Sequence, residues 1–449
     1  MKKIITLTAL LLSGFSIASI AQTYQVKNNR CFADVNGDGM DDYIILSGDP
    51  ANPTVNVRYS NGLTFDRVPN IVSRPNIYRK LVQPSYFADI NGDGRADYVT
   101  FQGNQQTPRI VAYLSTDEGF SNQYVVMSDH FDRGYDGFPR GFADINGDGR
   151  WDYITFRGDM ARPYIVAYFS KGYKFDSKSY KSSALLEPAK DGVLKAFADI
   201  NADGMADYMD SYDGDQINTY LGNKIEYPFQ FLYPYKNSLS KPIPRGYEDM
   251  PRGYYDIDGD KRADYVTFRG NEEKPNIYIH YSFGQSFEDE PRIARQVERG
   301  LPGMPNGFAD VNGDKKWDYI AFRGTEQNPK PVVYFSTGKD FLVPTDEMTI
   351  SLINDAAYNA YFLIRYDLEG VEKSIHTPVV VTGQSMDYAI PEDAYNVQVE
   401  AFCNDCYDKR RVFTDFINRA DNPGKVCYRV MGTQFKKSWD YGNCNKARK

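Results

Sequence analysis

Six short acidic segments place oxygen-bearing side chains at alternate positions, the arrangement a hard cation needs. The first runs DVNGDGMDD over 34–42, and its positions 1, 3, 5 and 9 are Asp34, Asn36, Asp38 and Asp42. The same positions recur as Asp89, Asn91, Asp93 and Asp97, then as Asp144, Asn146, Asp148 and Asp152. Asp199, Asn201, Asp203 and Asp207 follow, then Asp256, Asp258, Asp260 and Asp264, and last Asp310, Asn312, Asp314 and Asp318. Calcium takes six to eight oxygen ligands, and a glycine turn lets alternate side chains converge while position 7 offers a carbonyl. Magnesium keeps more water and is the second choice. No glutamate stands at position 12 and no helical pattern flanks the loops, so the expected site is strand-loop-strand. The plainer reading, a set of Asp/Asn-Gly hairpin turns, is disfavoured by six copies of four ligand positions. Six equivalent ions imply a structural role. Lys261 and Lys315 replace the second glycine of their loops and Ala202 the first in its loop, which is expected to weaken binding there.

The elements that must hold these loops follow from their spacing. The first aspartates lie 55, 55, 55, 57 and 54 residues apart, and a fixed period of this size marks a repeat architecture. After each loop come two strand-like runs around a glycine turn, as in DYITFRGD followed by RPYIVAYFS. Their alternating β-branched and aromatic residues read as strands. A variable stretch then leads to the next loop, often through a Pro-Gly turn, as in RGYDGFPRGF (133–142) and RGLPGMPNGF (299–308). About four strands per unit is the content of a propeller blade. Residues 22–345 therefore read as a six-bladed β-propeller, with the Thr23–Val26 run adding a strand to the last blade to close the ring.

Four repeats share a polar residue before a glycine at the end of the first long strand: Gln102, Arg157, Arg269 and Arg323. In the pattern YxTxR the Tyr, Thr and Arg share one strand face. Arginine beside tyrosine suits a carboxylate or sugar hydroxyls. The alternative is that each Arg pairs with an acid of the neighbouring blade.

Residues 346–449 break the repeat. The runs MTISLIN, AYFLIRYDL, HTPVVVTG, DYAIP, NVQVEAF and VCYRVMG predict a small β-sandwich. Cys403, Cys406, Cys427 and Cys444 are disulfide candidates there, three pairings being open, and are preferred over a zinc site. Cys31 stands apart in the first repeat. The fold class is thus all-β, a six-bladed propeller followed by a sandwich.

The start, MKKIITLTALLLSGFSIASIA, reads as a secretory signal over 1–21, so the expected location is extracellular or periplasmic. Net charge is -8, and -10 without Lys2 and Lys3, which excludes a basic footprint for nucleic acid. Six divalent ions would more than reverse it. The three histidines, His130, His280 and His376, fall in no repeated motif, and no catalytic triad or HExxH pattern occurs.

The motif Phe-Ala-Asp-x-Asn-Gly-Asp-Gly-x-x-Asp-Tyr resembles the calcium-binding FG-GAP or VCBS repeats of integrin-alpha-type propellers. That resemblance implies an adhesion or glycan-binding module. The runs INDAAYNAYFLIRYD (353–367), TGQSMDYAIPEDAYNVQVEAFC (382–403) and VCYRVMGTQF (426–435) resemble the membrane-binding C-terminal domain of cholesterol-dependent cytolysins. The family's tryptophan-rich loop is replaced here by Cys403-Asn-Asp-Cys-Tyr-Asp-Lys-Arg-Arg411, and Gln434 and Phe435 stand where it carries its sterol-contacting pair. The resemblance therefore implies a surface-binding domain and not a pore former. Lys409, Arg410 and Arg411 could meet anionic headgroups or glycans, and a solvated loop is the preferred reading of them. Together these readings predict a secreted, calcium-stabilised lectin- or adhesin-like protein for glycans or cell-surface components, without enzymatic activity. The alternatives are a polysaccharide-active lyase or hydrolase and a membrane-targeting toxin component.

Overall fold

The computed structural model describes residues 24–25 and 29–442 apart from short stretches, the longest being 74–84, 132–139, 187–194 and 223–239. The expected leader, Lys409, Arg410 and Cys444 lie outside the described residues. Strands make up all the regular structure described.

In each repeat the acidic loop joins a short strand to a long one. Blade 1 comprises Arg30–Ala33, Asp42–Asp49, Asn52–Arg58 and Ile71–Ser73 in antiparallel order. Blades 3, 5 and 6 repeat this four-stranded order, and blade 4 shows its first three strands. Strand alternation sends successive side chains to opposite faces, and here both faces are buried. Tyr98 and Tyr113 of blade 2 pack on Ile44, Val55 and Val57 of blade 1. Val99, Phe101 and Ile110 of the same blade pack on Phe142, Tyr153 and Tyr168 of blade 3. The series ends where it began, with Ile320, Phe322 and Val333 of blade 6 against Phe32 and Tyr43 of blade 1.

The loops are joined into a ring of their own. The position 8 N–H of each loop donates to the position 1 carbonyl of the preceding loop: Ala96 to Asp34 at 2.7 Å, Trp151 to Asp89 at 2.9 Å and Ala206 to Asp144 at 2.8 Å. Ala263 to Asp199 at 2.8 Å, Trp317 to Asp256 at 2.9 Å and Asp41 to Asp310 at 2.7 Å complete the circle. That last bond joins blade 1 to blade 6, so six blades close without an added strand. The amino-terminal run does not serve the last blade as the sequence suggested. Its strand Tyr24–Gln25 pairs with Tyr86–Ala88 of blade 2, because blade 6 fills its own outer place with Phe341–Leu342.

Beyond residue 347 two four-stranded sheets face each other. One holds Met348–Asn354 between Ser385–Ile390 and Lys425–Gly432, with Lys437–Gly442 outermost. The other runs Val371–His376, Ala360–Leu368, Tyr395–Cys403, Arg411–Ile417. Their inner faces share one core that includes Ile350, Leu352, Phe362, Val399 and Tyr428. HTPVVVTG, expected as a strand, is instead a connection held to the sheet by an isolated bridge between Ala360 and Val380. Thr377 and Pro378 end the preceding strand, and proline has no N–H for a ladder.

Candidate functional site

Each loop is wound around its first aspartate. Asp34 accepts the N–H of Gly37 at 2.7 Å on one oxygen and of Gly39 at 2.8 Å on the other. Asn36 accepts from Asp38 N at 2.9 Å, and Asp38 accepts from Met40 N at 2.9 Å. The same bonds recur around Asp89, Asp144, Asp199, Asp256 and Asp310. Positions 1, 3 and 5 thus converge; the carboxylate oxygens of Asp256, Asp258 and Asp260 lie within 4.8 Å of one another. The substituted loops keep this path. Ala202, Lys261 and Lys315 adopt φ of 61°, 72° and 66°, and the Lys261 N–H still reaches Asp256 at 2.9 Å.

Position 9 differs from the other three. Asp42, Asp97, Asp152, Asp207 and Asp318 have no exposed surface and Asp264 almost none. Asp42 accepts Ser60 N at 2.9 Å and Val35 N at 3.1 Å, clamping its loop to the turn after the third strand. Burial, with the loop's other carboxylates added, pushes Asp42, Asp97 and Asp264 up to about 8. Burial also raises position 1, to about 6 at Asp256 and Asp310. A donor set made only of oxygens, several buried and crowded by like charge, fits a divalent cation. In three loops the position 7 base already rests on the position 5 carboxylate: Arg150 on Asp148 at 2.6 Å, Arg262 on Asp260, and Lys316 on Asp314 at 2.8 Å.

The second set of candidates lies at the other end of the long strands. Five residues at about 3.3 Å each put Gln102 about 17 Å from Asp97, so these positions are not beside the loops. They have four different environments. Gln102 accepts from Arg109 at 3.1 Å within its own blade. Arg157 donates to Tyr168 at 2.7 Å. Arg323 forms a two-point pair with Glu298, at 2.7 and 2.5 Å, from the connection out of blade 5. Arg269 lies 3.9 Å over the Tyr278 ring and 3.4 Å from Nε2 of His280. Pairing with an acid of the neighbouring blade describes Arg323. A cleft of about 630 Å³ opens here between blades 5 and 6, lined by Glu272, Glu273, Glu298, Arg299, Leu301 and Arg323.

His280 does occupy a repeated position, against the reading that no histidine falls in one. It pairs with Tyr265 where Tyr113, Tyr168 and Tyr334 pair with the equivalent tyrosines. The alignment of YIHYS with VAYFS carried the signal. Burial holds the His280 imidazole below its usual range, and its Nδ1 lies 2.8 Å from the Glu288 carbonyl.

In the sandwich Cys403 and Cys406 form a disulfide, Cys427 is disulfide-bonded too, and Cys31 is a buried free thiol. Arg411 is not left for headgroups: it donates to the buried Glu400 at 2.6 Å.

A model of the FG-GAP-like repeat matches residues 34–100. A phosphoglucosamine mutase of Fusobacterium nucleatum is 24% identical over 346 residues, 62% of this chain and 76% of that protein. Among solved structures, the Photorhabdus luminescens Tc holotoxin pore is similar over 86% of this chain, at 14% identity and a TM-score of 0.49. This chain spans only 17% of the holotoxin chain. An Agrocybe aegerita lectin described as recognising non-reducing terminal N-acetylglucosamine is 18% identical, covering 83% of this chain and 87% of the lectin, at a TM-score of 0.43. The membrane-binding domain of pneumolysin, 15% identical, covers 22% of this chain and 99% of that domain at a TM-score of 0.18.

Proposed function

We propose that this chain is an exported binding protein, lectin- or adhesin-like, whose propeller is stiffened by divalent cations, calcium first. Its ligands are glycans or other cell-surface molecules. One observation carries the reading: the repeat divides its polar groups between two ends. At one end the acidic loops are wound around their own aspartates and bonded into a closed ring, which suits a frame. At the other, Arg299, Arg323 and the three glutamates line an open cleft with hydrogen-bonding groups. Planar donors and carboxylates with apolar neighbours such as Leu301 are the groups that recognise sugars. When bound, calcium would be held by positions 1, 3 and 5, the position 7 carbonyl and the position 9 carboxylate, and would supply counter-charge.

The test is a glycan array probed with the full chain in calcium and again in chelator. The expected result is binding to a defined subset of glycans, weakened by chelation. Absence of binding to every glycan in calcium would refute the lectin reading. A second reading, contact with a membrane surface, is favoured by the fully exposed Tyr407 and Phe435 at the turns of the sandwich. Aromatic side chains favour the membrane–water interface. Flotation with liposomes, with and without sterol, distinguishes it.

A further inference from the structure

The connections that enter blades 3, 5 and 6 are versions of one segment: DRGYDGFPRGF (132–142), PRGYEDMPRGY (244–254) and ERGLPGMPNGF (298–308). Their first residue differs. In blade 6 it is Glu298, and both of its oxygens are taken by Arg323 at 2.7 and 2.5 Å. In blade 3 it is Asp132, outside the described residues. In blade 5 it is Pro244, exposed and without a carboxylate. Arg269 meets a ring face at Tyr278 and a neutral imidazole nitrogen at His280, and its Nε is buried with no hydrogen-bond partner. Burial lowers its basicity, and the charges set against that come from Tyr278 and Tyr265.

Thr267, two residues before Arg269 on the same strand face, is wholly buried, and its hydroxyl has no partner. The Arg269 Nε and the Thr267 hydroxyl, both buried and without a partner on one strand face, match an acceptor with two oxygens. A carboxylate matches the planar fork of arginine at two points, as Glu298 does in the neighbouring blade.

We propose that Arg269 anchors a carboxylate-binding subsite between blades 4 and 5, taking the acid group of an acidic saccharide in the place that Glu298 fills beside Arg323. The proposal rests on the glycan-binding reading and names its ligand class. Blade 6 carries the acid within its own connection; blade 5 takes it from the ligand.

Calorimetric titration of the full chain in calcium tests it, with 3′-sialyllactose and a hyaluronan octasaccharide as probes, each beside its carboxyl-reduced form. At least one acidic probe should bind about tenfold or more tightly than its reduced form, a factor worth about 1.4 kcal/mol. Pro244→Glu, at an exposed position, should supply the missing acid and abolish that preference without changing the melting temperature. Arg269→Gln should abolish it as well. If Pro244→Glu binds the acidic probe as the parent does, the subsite is wrong. If reduced and acidic forms bind alike, the subsite is wrong while glycan binding stands. If neither the probes nor any arrayed glycan binds, both fail.

Discussion

Ala202, Lys261 and Lys315 hold a left-handed backbone that the other loops leave to glycine. An L-residue there costs roughly 1–2 kcal/mol, because Cβ crowds the carbonyl, while glycine gives back part of this as chain entropy. The loops nevertheless keep their path, since the N–H at these positions serves the first aspartate whatever the side chain. Sequence alone marked the three residues as departures and expected weaker cation binding; it could not show that the backbone bonds survive. Lys261→Gly should therefore stabilise the protein by about 0.5–1 kcal/mol, read as a higher denaturation midpoint. Gly94→Ala should do the opposite: its φ is 84°, and an added Cβ there meets nothing within 4 Å, so backbone strain is the whole effect. Equal midpoints for both variants and the parent would show that the turn is not strained.

At the scale of elements, the long strands of the blades were legible because burial on both faces makes them near-continuous apolar runs, and the inner strands of the sandwich because their apolar residues recur on the inner face. MTISLIN and AYFLIRYDL match the strands Met348–Asn354 and Ala360–Leu368. The strands that escaped, Val371–His376, Arg411–Ile417 and Lys437–Gly442, stand at sheet edges. An edge needs neither apolar face nor full alternation; Val371–His376 is exposed along nearly its whole length. The hinge of that sheet was also invisible. Glu400, 3% exposed, accepts Arg365 and Arg411 at 2.6 Å each and so ties three strands together. Burial works to raise its pKa, and the two guanidinium groups reverse this and leave it below the usual value of 4.5. A carboxylate depressed by folding stabilises the fold above its unfolded value and loses that contribution as pH falls through the folded one. Glu400→Gln should thus cost about 2 kcal/mol at neutral pH. The difference between variant and parent should shrink as pH drops below 4.5. A gap that stays constant from pH 7 to pH 3 would show that the loss is one of packing.

The whole molecule has two kinds of core, and this decides how it should respond to loss of calcium. The propeller clusters each bridge neighbouring blades and run in a circle from blade 1 to blade 6 and back. The sandwich cluster draws all its residues from 348–430 and shares none with them. The acidic loops belong to the first kind, and their ring of backbone bonds makes each loop's first aspartate the acceptor for the next loop. Without counter-charge, the crowded carboxylates of six loops oppose folding together, and because the loops are bonded in series the blades should fail as one. Anything that binds the folded state alone raises its stability by mass action, and the proposed calcium would do so for the propeller only. In scanning calorimetry the full chain should therefore show two transitions. Excess chelator should lower the propeller transition by several degrees, as removal of about 1 kcal/mol or more from a large domain does, and leave the sandwich transition in place. Glu400→Gln, placed in the sandwich, assigns the peaks by moving only the other one. An unchanged propeller transition in chelator would remove calcium from the frame and leave the loops as hydrogen-bonded turns.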